Sequence, residues 1–432
     1  MTYKPAGLTP GHREEDTAME KQTTQCAVES SPTWEHLETA LRGRMREWLQ
    51  ELLDAEVDEL LGRRKSARRK AVDSAPGYRS GHGKPRRLTL CNGTVTVRRP
   101  RVRGLPQRFE SRLLPLFARR TPEVNALLPE LYLHGLALGD FDLALRGLLG
   151  EDAPLSATTV GRLKEQWHAE QAQWASRPLA DLEVVYLWVD GVYVKAGVEN
   201  EKAAVLVVLA ALSDGRKALI ALVPGHREST EGWSAVLRDL NARGLVAPKL
   251  VIGDGHLGIW AGLRNVYPDA KEQRCWNHRI VNALDKVPKT RQAHARLQLT
   301  QIPYAATQQD AERLKAGYQH WCRQQGLEAA ATVLDRDWER MLTFYQFPKA
   351  HWVHLRTSNP IESPFAALRL RTDAAKRFKR VENATAVIWK MLLVAQQRFR
   401  RLHAPELMKE VYHGAEYVNG VRVQERAWEV AA

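Results

Sequence analysis

The sequence predicts a mixed α/β protein in which a basic helical and β-hairpin region precedes an α/β core interrupted by an α-helical insertion. Three features carry this. Basic residues crowd into one early stretch, strand-like apolar runs follow one another after Pro178, and strand character fades between 280 and 350. The chain of 432 residues exceeds one ordinary core and suggests two to four domains. Its 44% hydrophobic residues and 13 Trp can fill them.

Residues 1–34 are polar, lack periodicity and are expected to form a mobile tail. From Trp34 to Leu61, "WEHLETALRGRMREWLQELLDAEVDELL" repeats apolar residues at helical spacing and is a candidate for contacts between chains. The stretch "RRLTLCNGTVTVRRPRVRG" alternates around "NG", the signature of a hairpin, and Arg98, Arg99, Arg101 and Arg103 line its exit. The chain's 64 Lys and Arg against 50 Asp and Glu give +14. Between Arg63 and Arg120 stand 18 basic residues and 2 acidic ones, so the rest of the chain is near neutral, at −2. So local an excess suits a polyanion, because each neutralised phosphate releases condensed counterions. Residues 35–120 are therefore read as a nucleic-acid-binding region.

Short helices are expected at "PEVNALLPELYLHG", "DFDLALRGLLG" and "SATTVGRLKEQW", with Ser156 as N-cap of the last. Residues 121–177 thus resemble a helix-turn-helix, although a plain three-helix bundle fits the pattern equally. Next come "VVYLWVDGVYVKA", "AAVLVVLAAL" and "KALIALVPG", the helix "TEGWSAVLRDLNARG", the strand "PKLVIGDG", the helix "HLGIWAGLRNVYP" and "AKEQRCWNH". Three strands, then helix, strand, helix, strand, is the order of a ribonuclease-H-like core with a mixed sheet. Its first part is placed at 178–279, the helical insertion with Trp321 and Trp338 as anchors at 280–350, and the last helices and a tail at 351–432.

Candidate chemistry sits on carboxylates. Asp190 ends "VVYLWVD" and Asp254 follows "KLVIG", so neighbouring parallel strands would bring both to one edge. Two such carboxylates repel unless a cation lies between them, and Mg²⁺ prefers hard oxygen donors. Glu362, in "NPIES", reads two ways. With Asn359 as N-cap and Pro360 as first helical residue it fits a capping box; it can equally be a third metal ligand. Pro364 also allows a helix that starts a turn later on Ser363.

The series "VYLWVDGVYVKAG", "ESTEGWSAVLRDLNARGL", "GDGHLGIWAGL", "EQRCWNH" and "TSNPIES" resembles the Mutator family of transposases encoded by bacterial insertion sequences, from roughly Trp34 to Val421. The resemblance implies a DDE triad of Asp190, Asp254 and Glu362 on a ribonuclease-H-like core, binding two Mg²⁺ ions, with Mn²⁺ as a substitute. It also implies a CxxH motif, Cys275 and His278, as site support. Trp276 between them is expected in the core. Arg369 matches the basic residue that follows the family's glutamate and would hold a DNA phosphate, with "KRFKR" at 376–380 continuing the track. His256 is either a phosphate contact or a surface histidine. Gly253 departs from the family pattern, which has serine there.

A DNA transposase is therefore expected, binding terminal inverted repeats and target double-stranded DNA as a homodimer or larger assembly, and catalysing metal-dependent strand cleavage and strand transfer. The alternatives are a nuclease of the same fold without strand transfer and a domesticated, catalytically silent DNA-binding regulator. The expected location is the bacterial cytoplasm, at the nucleoid. Four scattered cysteines without CxxC fit a reducing compartment. No membrane span is expected, since "SDGRK" breaks the longest apolar run after about half a span.

Overall fold

The structure, a computed structural model, describes residues 33–67, 76–136, 140–149, 157–196, 202–225, 229–255, 257–375 and 377–423. The N-terminal tail through 32, the cap at Ser156, His256 and Lys376 lie outside the described residues. The chain divides into two compact units, residues 1–86 with 95–116 and residues 87–94 with 117–432.

The first unit is built on α1 (Leu37–Leu61), led in by a 3₁₀ turn at Trp34–His36. Leu53, Val57 and Leu61, four residues apart, fall on one face and are buried. The helix stops at Gly62, whose left-handed backbone (φ 61°) lets its N–H return to the carbonyls of the last turn. The hairpin β1 (Tyr78–Leu90) and β2 (Gly93–Arg103) contributes its strands up to residue 86 and from 95 on to this unit, and its tip, residues 87–94 with the turn at Cys91 and Asn92, to the second. Its first strand starts well before the alternating "RRLTL", running through "YRSGHGKP". A two-stranded ribbon leaves each strand an open edge, so Pro85 costs no ladder bond that a central strand would need.

In the second unit α2 (Pro122–Leu133), α3 (Asp140–Leu149) and α4 (Ala157–Ala175) appear where periodicity puts them. Their packing is the new information. Along α4, Lys390 donates to Glu170 at 2.8 Å, His168 meets Asn383 at 2.9 Å, and Trp174 lies 6.0 Å from the Trp389 ring. All three partners lie on α14, given below, so α4 is built into the same unit as the sheet.

The sheet is formed by β3 (Val184–Lys195), β4 (Lys202–Leu212), β5 (Lys217–Gly225), β6 (Leu250–Gly253) and β7 (Lys271–Arg274), in the order β5-β4-β3-β6-β7. β3, β4 and β5 pair antiparallel, while β3, β6 and β7 pair parallel. The longest apolar run of the sequence is β4, a four-residue turn and β5. α5 (Thr230–Ala242) and α6 (Leu257–Val266) cover one face through Trp233, Leu237, Trp260 and Leu263. They approach so closely that a Cβ on Gly258 would lie 2.7 Å from the Thr230 nitrogen.

After β7 the chain turns helical with α7 (Trp276–Leu284), α8 (Gln292–Gln301), α9 (Gln308–Gln324), α10 (Glu328–Ala331), α11 (Trp338–Leu342) and α12 (Trp352–Leu355). Trp321 and Trp338, the expected anchors, are only partly buried. The fully buried aromatics are Trp276, Tyr318, Phe344, Tyr345 and Trp352. α13 (Asn359–Ala374) and α14 (Val381–Gln396) close the second face of the sheet, followed by α15 (Leu407–Tyr412) and a small ribbon, β8 (Tyr417–Val418) with β9 (Val421–Arg422). No described helix is long and apolar enough to cross a membrane.

Candidate active site and basic cleft

Strand register sets the first two acids. β3 and β6 run parallel with Tyr186 beside Leu250, Leu187 beside Val251 and Trp188 beside Ile252. Carried two residues further, that register puts Asp190 opposite Asp254. β6 and β7 pair Gly253 with Arg274, so Cys275 follows next to Asp254 and donates its N–H to the Gly253 carbonyl at 2.8 Å. The expectation that the strand ends at Asp190 needs correction. β3 continues to Lys195 because β4 keeps supplying antiparallel partners, Val207 opposite Asp190 among them. Only its parallel neighbour stops. Asp190 also accepts the Gly191 N–H at 2.8 Å.

Alternation along β3 then selects a face. Tyr186, Trp188 and Val192 join the core that holds Ile361, Phe365 and Leu368 of α13. Asp190 shares their parity, so it lies on the face covered by the helix that carries Glu362.

Glu362 does not cap that helix. α13 starts at Asn359, one residue earlier than a cap at Asn359 requires, and Ser358 is the cap: its carbonyl accepts the N–H groups of Ile361 and Glu362, each at 3.0 Å. A capping box on Asn359 would have Glu362 accept the Asn359 N–H, but that group points to the Thr357 hydroxyl at 3.4 Å, and the Ser358 N–H points to the Cys275 sulfur at 3.3 Å. Glu362 instead accepts the Ser358 hydroxyl. Pro364 does not delay the helix, which runs through it to Ala374.

Cys275, His278 and Glu362 each bring a donor atom within 4.8 Å of the others. The His278 Nδ1 atom lies 3.8 Å from the Glu362 carboxylate, beyond hydrogen-bond reach. The Cys275 side chain beside it, opposed by burial and reinforced by the Glu362 and Asp254 carboxylates, pushes the His278 imidazole up to about 9. Cys275 is buried, and its neighbours knit the starts of α7 and α13: the Trp276 N–H donates to the Arg356 carbonyl at 2.9 Å and the Asn277 amide to Asn359 at 2.9 Å. Trp276 itself is core, 1% exposed. Arg369 is exposed two turns along α13 from Glu362.

Three residues that sequence reasoning missed support this edge. Asp337, its side chain 7% exposed and its backbone left-handed (φ 63°), binds Arg274, Arg279 at 2.9 Å and Arg340 at 2.6 Å. Arg274 in turn packs on Gly255, where a Cβ would come within 2.4 Å of its Nε atom and where φ is +93°. The helical insertion thus reaches the turn after Asp254 through a buried ion pair. Ser358 is the third; it stood inside the quoted "TSNPIES", but a cap is recognised only once the helix start is known.

The first unit carries a cleft of about 400 Å³ lined by Lys84, Arg86, Arg99, Arg101, Arg103 and Arg108, with Phe109 at its wall. None of its lining residues is a carboxylate. Arg99 is partly committed elsewhere, donating to the Phe109 carbonyl at 2.8 Å, and Arg98 projects from the other face of β2, outside the cleft. Lys84, Arg86 and Arg108 join it only through pairing of β1 with β2 and the return of the chain after β2.

Residues 16–401 match the family model described as "Transposase, Mutator family". The chain is 41% identical over 307 residues to the transposase for insertion sequence element IS6120 of Mycolicibacterium smegmatis, covering 71% of this chain and 94% of that protein. It is 37% identical over 281 residues to the transposase for insertion sequence element IST2 of Acidithiobacillus ferrooxidans, covering 64% and 94%. Among solved structures, the Drosophila P element transposase strand transfer complex aligns at 12% identity over 68% of this chain and 83% of that one, with a TM-score of 0.29, too loose to bear on the fold.

Proposed function

The chain belongs to the Mutator family of transposases, and from that premise we propose that it cleaves and rejoins DNA at the ends of an insertion sequence, on a ribonuclease-H-like core. One observation supports this most. Asp190 and Asp254 each follow by two residues the Trp188–Ile252 pair of adjacent parallel strands, and the helix bearing Glu362 packs on the sheet face that Asp190 shares. The strand order β5-β4-β3-β6-β7 suits such a core.

Asp190, Asp254 and Glu362 would hold two Mg²⁺ ions, or Mn²⁺. Their carboxylate oxygens are the donors Mg²⁺ prefers and all three are half-buried, whereas the donor atoms that already lie within 4.8 Å of one another among the described residues are those of Glu362, Cys275 and His278. Bound there, the ions would activate water or a 3′-hydroxyl and steady the leaving oxygen. The chain's own side chains supply position and charge. The Ser358 hydroxyl orients Glu362, Cys275 and His278 form the wall, and Arg274 backs the Asp254 turn. Arg369 would hold a phosphate of the DNA. In the first unit the basic cleft would track the backbone of terminal repeats, and in the second unit α4 would contribute base contacts.

Glu362→Gln tests this directly. It keeps an oxygen for the Ser358 hydroxyl but removes the charge a divalent ion needs. Strand transfer on repeat-ended DNA is expected to vanish, with melting temperature and DNA binding close to wild type; Asp190→Asn and Asp254→Asn should behave alike. Strand transfer retained in any of the three removes that residue from the site.

A further inference from the structure

The N-terminal half of α1 carries an apolar stripe that the described residues leave open. α1 buries none of its residues before Leu53, and Trp34 is 87% exposed, Leu41 54% and Trp48 58%. Leu41 and Trp48, with the half-buried Leu37 and Met45, fall within about 40° of one line down the helix, at 100° per residue, and Trp34 precedes them on the 3₁₀ turn that leads into α1. The hairpin cannot cover that line. Leu53, Val57 and Leu61, which are buried, together with Gln50, whose side chain bonds both the N–H and the carbonyl of Arg98, lie on the far side of the helix.

The stripe is palindromic. Leu37 and Met45 stand four residues either side of Leu41, and Trp34 and Trp48 seven. Charge is blocked along the same helix: Glu35 and Glu38 come first, Arg42, Arg44 and Arg46 next, then six acids and no base from Glu47 to Glu59. Two parallel copies would set each block beside its like. Two antiparallel copies centred on Leu41 bring Trp34 against Trp48 of the second copy and set Glu35 and Glu38 alongside the arginines of that copy, while the acidic ends separate. A two-fold interface must match a surface with itself, which this pattern does.

We propose that this helix pairs antiparallel with α1 of a second copy of the chain, with the two-fold axis at Leu41. The inference rests on the first unit alone and is independent of the active-site assignment.

Cysteine crosslinking of the full chain, in a Cys26→Ser, Cys91→Ser background, separates the geometries. In an antiparallel pair Leu41→Cys meets its own copy and forms an interchain disulfide under mild oxidation. Trp34→Cys and Trp48→Cys are each roughly 21 Å from their own copies, far beyond disulfide reach, so neither self-links but a mixture of the two does. Sedimentation velocity without oxidant should show a concentration-dependent dimer, weakened at least about tenfold by Leu41→Glu, as loss of a central apolar contact implies. The circular dichroism of that variant should be unchanged, since Leu41 is more than half exposed and lies outside the buried face of α1. Self-linking by all three cysteines would overturn the antiparallel arrangement. A chain that stays monomeric at high micromolar concentration, or no crosslink in any sample, would overturn the pairing itself.

Discussion

Around Asp337, arginines are sunk into the second unit and neutralised, whereas along the hairpin of the first unit they line an open cleft without a carboxylate. The residue type is the same and its physical task is opposite. A guanidinium buried beside a carboxylate recovers its desolvation cost from that partner, so it fixes structure. One held in water beside other cations repels its neighbours, and that arrangement is relieved when a polyanion arrives. Counting arginines therefore says little; what decides is whether an acid shares their pocket.

The largest way to break this contrast is Asp337→Ala. It strands Arg274 and Arg279 in the interior, and removing one partner of a buried network typically costs about 3–5 kcal/mol. Urea unfolding should register that loss. A change below about 1 kcal/mol, the scale of an exposed pair, would mean the network is effectively solvated.

A smaller effect is expected in the cleft, and on binding rather than folding. Reversing Arg101, Arg103 and Arg108 to glutamate should weaken binding to repeat and scrambled duplexes alike, by about 100-fold at moderate salt, and flatten the plot of log affinity against log salt by roughly 0.9 per lost phosphate contact. Titrations at several salt concentrations measure both. The unfolding midpoint should barely move. An unchanged salt slope would make the cleft a merely solvated face.

The subtlest effect is on pH dependence. Burial alone would raise the Asp337 carboxyl, but Arg274, Arg279 and Arg340 hold it below the usual carboxylate range. A group whose folded value is depressed contributes stability that is fully present above the unfolded value, about 4, and is lost as pH falls through the folded value. Wild type should therefore lose stability in acid below about pH 4 more steeply than Asp337→Asn, which has no proton to take up there. Parallel acid limbs in urea melts would show that Asp337 is not depressed.

Much of the fold was legible locally. β4, β5, α5 and α6 follow from apolar runs and turn residues, and the apolar stretch broken by "SDGRK" did become two strands and a turn. The start of β1 was not legible, because "YRSGHGKP" has no strand propensity of its own and is extended only as part of a paired ribbon. The helix start at Asn359 was missed by one position for a related reason. Asn, Ser and Pro permit several caps, and the contact that selects Ser358 comes from Cys275, 83 residues away in sequence.

By itself, the sequence determined the family, the order of strands and helices, the segregation of positive charge and the residue types available at the candidate site. Those properties depend on neighbours along the chain or on composition, both of which one dimension records. Tertiary structure alone decided that β3 and β6 run side by side with Trp188 beside Ile252, that Glu362 accepts the Ser358 hydroxyl, that Asp337 ties the insertion to the Asp254 turn, and that α4 packs along α14. All but the Ser358 contact are meetings of segments far apart in sequence. The physical reason is that register, burial and ion pairing are settled by which surfaces exclude water together, and a linear pattern names the surfaces without saying which ones meet.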